Sequence, residues 1–217
     1  MTFEPLTPER RRAMTRQHLL EAAAMVFARN GFHGSTLDEV AATAGFTKGA
    51  VYSNFKSKDD LFLALLDDRI ERQFALTAEV LDSGPHEAAE MLPRMRELLS
   101  PEATFWDDNW ETLFLEFVLY ARRNPEAAAK LADRAARERA LVQQIIENEH
   151  ANLGLSPEYR TRELAEISIA LVGGLAIARL IDPRAVTDET LDAMLSILNR
   201  SIGVADEGAK ARSPTPS

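Results

Sequence analysis

Apolar residues recur every three or four positions along almost the whole chain, which is the spacing of one face of an α-helix. No segment alternates apolar and polar residues convincingly enough to indicate a strand. The pattern therefore predicts an all-α protein of about nine helices, and the bounds given next include the capping residues. Their approximate bounds are residues 8–30, 36–44, 47–55, 57–83, 86–99, 107–123, 126–152, 160–182 and 188–202.

Two short helices near the N-terminus are separated by a tight turn. Thr36 and Glu39 form a T-x-x-E capping box, in which each side chain bonds a backbone N–H left free at the helix start. Gly45 can take the left-handed conformation that ends a helix, and Thr47 can cap the next helix. This spacing predicts a helix-turn-helix over residues 36–55. Its small core is expected from Val40, Phe46, Val51 and Phe55.

The second helix of this unit has an outer face with almost no bulk, made by Gly49, Ala50 and Ser53. Polar or cationic side chains border that face: Lys48, Tyr52 and Asn54. A helix that enters the major groove of B-DNA, about 12 Å wide, needs small residues near the bases and hydrogen-bond donors beside them. The alternative is a thin helix crossing inside a bundle, with the lysines as a solvated rim.

Charge is unevenly distributed along the chain. Residues 1–58 hold 8 Lys and Arg against 5 Asp and Glu, a net of +3, although the formal charge of the whole chain is -9. Thr36, Thr47 and Ser57 each stand at the start of a helix. Their hydroxyls and the adjacent backbone N–H groups can bind phosphate oxygens there. Lys58 adds a formal charge beside Ser57. The basic part of an acidic chain thus coincides with the helix-turn-helix.

The segment "STLDEVAATAGFTKGAVYSNFKSKDDLF" resembles the DNA-binding domain of the TetR family of bacterial transcriptional regulators. The resemblance covers about residues 10–65, and it departs from the family at Ser53 and Asn54, where an aromatic residue and a histidine are common. It implies DNA contacts by Thr36, Thr47, Lys48, Gly49, Tyr52, Asn54 and Lys58. It also implies that the remaining helices form a larger domain that binds an effector and dimerises.

Aromatic residues are concentrated around the predicted helix over residues 107–123: Trp106, Trp110, Phe114 and Phe117. Similar proteins place an effector pocket in this part of the chain, so we expect these rings to line an apolar cavity. The alternative is that they are ordinary core. Glu111 and Glu116 favour a cationic ligand, whereas Arg94, Arg96 and Arg122 favour an acidic one, and the sequence leaves both open.

The predicted helix over residues 160–182 is apolar on nearly every side and carries Gly173 and Gly174 at its middle. A large apolar surface marks an interface, and two glycines allow close approach of another backbone. We therefore expect a homodimer built from this helix and the next. Its expected interface residues are Leu171, Gly174, Leu175, Leu191, Leu195 and Leu198. The alternative is the central core helix of a monomer.

Several other classes of protein receive little support. The chain has no cysteine, so it has no disulfide or thiolate metal site. The longest run without charge, residues 167–178, is shorter than the roughly 18 residues that suggest a membrane span. Glu147-x-x-His150 is half of a di-iron pattern, but no second E-x-x-H exists. We expect neither a metal nor a cofactor, and the simplest location is the cytoplasm.

These observations predict a ligand-responsive transcriptional regulator and not an enzyme. Residues 1–58 are assigned to the DNA-binding domain, 59–203 to the helical effector-binding and dimerisation domain, and 204–217 to a disordered tail. The expected partners are an operator in double-stranded DNA, a small and largely apolar effector, and a second copy of the chain. The predicted action is repression. An apolar-ligand carrier and a metal-dependent helical-bundle enzyme, both without DNA binding, are the alternatives.

Overall fold

The computed structural model describes residues 7–82, 108–153 and 160–202. Within these ranges the chain forms eight α-helices and no strand, as the sequence predicts. The helices are α1 (Pro8–Gly34), α2 (Leu37–Ala44), α3 (Lys48–Asn54), α4 (Lys58–Asp82), α5 (Asp108–Ala121), α6 (Pro125–Leu153), α7 (Thr161–Ile181) and α8 (Asp188–Ile202). The predicted helix over residues 86–99 and the predicted tail lie outside the described residues.

The path of α1 breaks at Gly31, where the sequence predicts the helix to stop. Gly31 has φ +70° and ψ 175°, a combination that residues with a side chain rarely adopt, and the turn continues to Gly34. A Cβ atom at Gly31 would lie 2.8 Å from Oε2 of Glu116. Glycine is therefore required here both by the backbone angle and by the close approach of α5.

The chain divides into two compact units. The first contains the described residues 7–71 and 112–131, and the second contains residues 72–82, 108–111, 132–153 and 160–202. The first unit thus includes most of α5 and the start of α6 beside the helix-turn-helix, so it extends beyond residue 58. The domain boundaries at residues 58 and 203 stay predictions.

Aromatic rings fill the core of the first unit. Phe62 and Phe117 stack with their centroids 4.2 Å apart, and Phe32 meets Phe117 edge-on at 5.0 Å. Phe27 packs its edge against Phe62 at 6.0 Å. All four rings have at most 1% of their surface exposed. Such ring pairs add to the stabilisation from burial, so the ends of α1, α4 and α5 are held together.

In the second unit, α7 packs against its neighbours on both sides along the chain. Leu164 and Ala165 of α7 are buried with Ile146 of α6. Leu191 and Leu195 of α8 are 1% and 3% exposed, packed against the α7 face that carries Leu171, Val172 and Leu175. The last two helices therefore form one packed pair within a single chain.

Candidate nucleic-acid interface

The helix-turn-helix is built by local hydrogen bonds that the sequence predicts. The Thr36 hydroxyl accepts the N–H of Glu39 at 3.2 Å, and a carboxylate oxygen of Glu39 accepts the N–H of Thr36 at 2.9 Å. Gly45 adopts φ +70° and ψ 23°, and the N–H of Phe46 then returns to the carbonyl of Ala41 at 2.9 Å. Thr47 caps α3 by accepting the N–H of Ala50 at 3.2 Å.

The outer surface of α3 is open to solvent. Lys48, Gly49 and Ser53 are exposed, and Tyr52 keeps 56% of its surface exposed. We call these four residues the reading face. Asn54 is half-buried instead, and its amide donates to the carbonyl of Ala50 within the same helix at 2.8 Å. The DNA contacts expected of Thr36, Thr47, Lys48, Gly49, Tyr52 and Asn54 stay predictions.

The opposite side of α3 holds the expected small core with one difference. Val40, Val51 and Phe55 have at most 3% of their surface exposed. Phe46 is only half-buried, and its ring stacks on that of His18 at 6.2 Å. It therefore lies at the edge of the core and joins the turn to α1. The face of α3 with small residues remains on the outside because the apolar residues occupy the other face.

Lys48 forms an ion pair on this surface. Its ammonium donates a hydrogen bond to a carboxylate oxygen of Asp38, the second residue of α2. The hydrogen bond and the negative charge of Asp38 raise the pKa of Lys48 above its ordinary value. The cationic group of the reading face therefore has a partner within the protein.

Lys58 has a different environment from the one expected of a phosphate-binding residue. Its ammonium donates to the carbonyls of Phe32 at 2.7 Å, Ser35 at 3.0 Å and His33 at 3.3 Å, and it lies 4.6 Å from the centre of the Phe32 ring. Burial lowers the pKa of Lys58 from its ordinary value. Because an ammonium has three donors, a phosphate would have to replace at least one of these bonds. These bonds favour a role for Lys58 within the protein, and the phosphate contact expected from the sequence stays untested.

Glu116 binds the backbone just after the break in α1. One of its carboxylate oxygens accepts the N–H of Phe32 at 2.7 Å. The sequence suggests Glu116 as a residue that binds a cationic ligand, whereas the structure shows its carboxylate bonded to a backbone amide 84 residues away. The sequence signal that could have indicated a buried partner for Glu116 is its position inside the otherwise apolar run "LFLEFVLY".

Polar bonds also join the start of α4 to α5 and α6, and the sequence did not predict them. The Tyr120 hydroxyl donates to a carboxylate oxygen of Asp59 at 3.0 Å, and Asn124 donates to that hydroxyl at 2.8 Å. Lys130 donates to Asp60 at 2.9 Å. Asp59 and Asp60 also lie in the first turn of α4, where negative charge is favoured by the helix dipole.

The four residues expected to line an effector pocket have different positions. Trp106 lies outside the described residues. Trp110 belongs to the second unit, whereas Phe114 and Phe117 belong to the first. Phe114 is half-buried, and Phe117 has no exposed surface because the ring cluster encloses it. Phe117 therefore has the environment of a core residue, and the ligand-binding role of Trp110, Phe114 and Phe117 stays a prediction.

No group of three or more potential metal ligands occurs among the residues that the structure describes. Glu147 accepts a hydrogen bond from the hydroxyl of Thr161 at 2.9 Å. His150 is 4% exposed, and among the described residues neither of its ring nitrogens has a hydrogen-bond partner. The half di-iron pattern is thus not completed within the described ranges.

One described helix, α7, is long and apolar enough to cross a membrane by length and composition alone. Its uncovered face includes Ile167, Gly174, Ile177 and Ile181, which are all exposed in the single chain. An added Cβ atom at Gly173 or Gly174 meets no other atom of the described residues within 4 Å. Within the part of the chain that the structure describes, both glycines therefore lack a close contact outside their own helix.

Comparison with known proteins places these features in a family. Residues 19–65 match the family model described as "Bacterial regulatory proteins, tetR family", and residues 88–202 match "BetI-type transcriptional repressor, C-terminal". AcnR, an HTH-type transcriptional repressor from Corynebacterium diphtheriae, is 35% identical over 75 residues, which are 35% of this chain and 40% of AcnR. The matched segment thus spans less than half of that relative.

A further relative and a solved structure each match over most of their length. YdgC from Bacillus subtilis, an HTH-type transcriptional regulator, is 26% identical over 185 residues, covering 83% of this chain and 91% of YdgC. The structure of the transcriptional regulator FadR from Bacillus subtilis, in complex with stearoyl-CoA, has a TM-score of 0.63 at 17% identity. That likeness covers 85% of this chain and 98% of FadR, and it concerns the fold.

The second family match alone covers more than half of the chain, and the first covers the helix-turn-helix with its exposed reading face. The chain therefore belongs to the TetR family of bacterial regulatory proteins, and it is a DNA-binding transcriptional regulator.

Proposed function

We propose that this regulator is a homodimeric repressor that binds a palindromic operator in the cytoplasm and leaves it when a small, largely apolar effector binds. The observation that carries the proposal is the reading face of α3. It presents small residues beside a cation and an exposed phenol on a unit held rigid by capping bonds and a packed core. These are the properties needed to approach base edges in the major groove.

Within this proposal, residues divide by the kind of contact they make. Lys48 and Tyr52 contact base edges, and Gly49 lets the backbone of α3 approach the groove. Thr36 and Thr47 bind phosphates, which set the register of the protein on DNA without reading sequence. Asn54 supports the end of α3, since its amide is bonded to the preceding turn.

The test uses a duplex selected by the wild-type protein from a random library, together with a scrambled duplex of the same composition. Wild-type protein should retard the selected duplex at much lower concentration. Lys48→Ala and Tyr52→Ala should reduce the ratio of the two affinities, because loss of a base contact removes about 1–3 kcal/mol of discrimination. Equal weakening on both duplexes would mean that α3 does not read the sequence.

The proposed dimer uses the uncovered apolar face of α7. That face is exposed in the single chain and would be covered by the same face of a second copy, with Gly173 and Gly174 allowing the backbones to come close. Leu191 and Leu195 are already buried by α7 of their own chain, so they pack behind the proposed interface and hold α7 in place. Leu171, Leu175 and Leu198 are half-buried, and in the proposed dimer they lie at the edge of the interface.

An apolar effector is proposed on two grounds. Trp110 and Phe114 are partly exposed rings on α5, and the related FadR is described in complex with stearoyl-CoA. Purified protein should therefore be screened with fatty acyl compounds and with quaternary amines, using release of the selected duplex as the readout. Release by quaternary amines alone would contradict an apolar effector and leave the DNA-binding role intact.

A further inference from the structure

We propose that Asp38 is a specificity-determining residue of the DNA interface, because it restrains the ammonium of Lys48 and so weakens contact with DNA of the wrong sequence. The inference rests on the proposed function, in which Lys48 contacts a base edge. It assigns a role to a residue that does not itself need to touch DNA.

The geometry places the two residues at the starts of successive helices. Asp38 is the second residue of α2, and Lys48 is the first residue of α3. The left-handed turn at Gly45 brings these helix starts together, so the carboxylate accepts a hydrogen bond from the ammonium. The side chains remain 49% and 68% exposed, respectively. The pair therefore lies on the surface beside the reading face, where DNA can compete for the lysine.

Asp38 is not needed to start α2. The capping box of Thr36 and Glu39 already bonds the free N–H groups there, and the only hydrogen bond described for the carboxylate of Asp38 is the one from Lys48. A change from Asp38 to asparagine keeps the size of the side chain and removes its charge. The fold of α2 should therefore survive the substitution.

The strength of such a pair suits a restraint that can be released. Exposed ion pairs usually contribute about two- to five-fold to an equilibrium, which is too little to hold Lys48 permanently. Binding to non-operator DNA depends almost entirely on phosphate attraction, and a carboxylate beside the lysine cancels its charge there. On the operator, Lys48 can keep its bond to Asp38, because its ammonium has three donors and the other two can bond a base edge. The pair should therefore weaken non-operator binding more than operator binding.

The experiment is a double-mutant cycle with Asp38→Asn and Lys48→Ala, measured on the selected and scrambled duplexes over a range of salt. Asp38→Asn should tighten binding to the scrambled duplex about two- to five-fold and steepen its salt slope by up to about 0.9. Binding to the selected duplex should tighten less. In the Lys48→Ala background, Asp38→Asn should no longer change the ratio of the two affinities.

Glu21→Gln is the matched control, since it removes one exposed carboxylate from the same unit without touching Lys48. Thermal unfolding of each variant checks that the fold is kept. The inference is overturned if Asp38→Asn leaves the affinity ratio unchanged, if Glu21→Gln changes it equally, or if the effect persists without Lys48. Failure of the wild-type protein to select any duplex would instead overturn the proposed function.

Discussion

One carboxylate, that of Glu116, holds a buried backbone amide at the break in α1. The residue that carries the amide, Phe32, is 1% exposed, and its N–H lies 2.7 Å from the carboxylate oxygen. The helix cannot provide an acceptor here because Gly31 leaves the helical conformation. An N–H that is buried without a partner costs free energy, so Glu116 should stabilise the DNA-binding unit.

We predict that Glu116→Ala lowers the free energy of unfolding by about 1–3 kcal/mol, because the N–H of Phe32 loses its acceptor. Glu116→Gln should lose less, since an amide oxygen can still accept the bond. Urea denaturation of the three proteins gives the comparison. Equal losses in the two variants would show that the negative charge matters and the acceptor does not.

At the scale of helices, the first turn of α4 joins the parts of the first unit. Lys58 binds the carbonyls at the end of α1, Asp59 accepts from Tyr120 of α5, and Asp60 pairs with Lys130 of α6. The three consecutive side chains thus contact three different helices. Any movement of α4 at this end would therefore disturb the segment that leads into α2.

We predict that Lys58→Met lowers the free energy of unfolding by about 1–3 kcal/mol and leaves the salt dependence of DNA binding unchanged. The substitution keeps the apolar stem and removes the charged donor from three carbonyls. Lys56→Met is the control, because Lys56 is exposed nearby. A salt slope that becomes shallower by about 0.9 only in Lys58→Met would instead assign Lys58 a phosphate contact.

The extent of the helices could be predicted because local chemistry determines it. The caps at Thr36 and Thr47 and the glycines at positions 31 and 45 mark ends that the structure reproduces closely. The bonds of Lys58 and Glu116 could not be predicted in the same way. They join residues 23–26 and 84 positions apart, and helical periodicity carries no information about such partners. The exposed face of α3 was predictable because its opposite face is apolar.

At the scale of the whole molecule, α7 has an apolar face that a single chain leaves uncovered. We predict that Gly174→Arg gives a monomer with unchanged helical content, because no described residue of the same chain occupies the space beside Gly174 and the partner would occupy it. Sedimentation velocity and circular dichroism measure the two properties. Glu163→Arg is the control for added charge, because Glu163 is an exposed residue near the start of α7. An intact dimer of Gly174→Arg would place the interface elsewhere.

The central claim is that a symmetric dimer of this chain reads a palindromic operator with two copies of α3. Hydroxyl-radical footprinting of the wild-type protein on the selected duplex tests it most directly. The account predicts two protected half-sites, related by a dyad and about 34–36 Å or a multiple of that distance apart on one face of the DNA. A single protected site without a symmetric counterpart, or equal protection of the scrambled duplex, would contradict it.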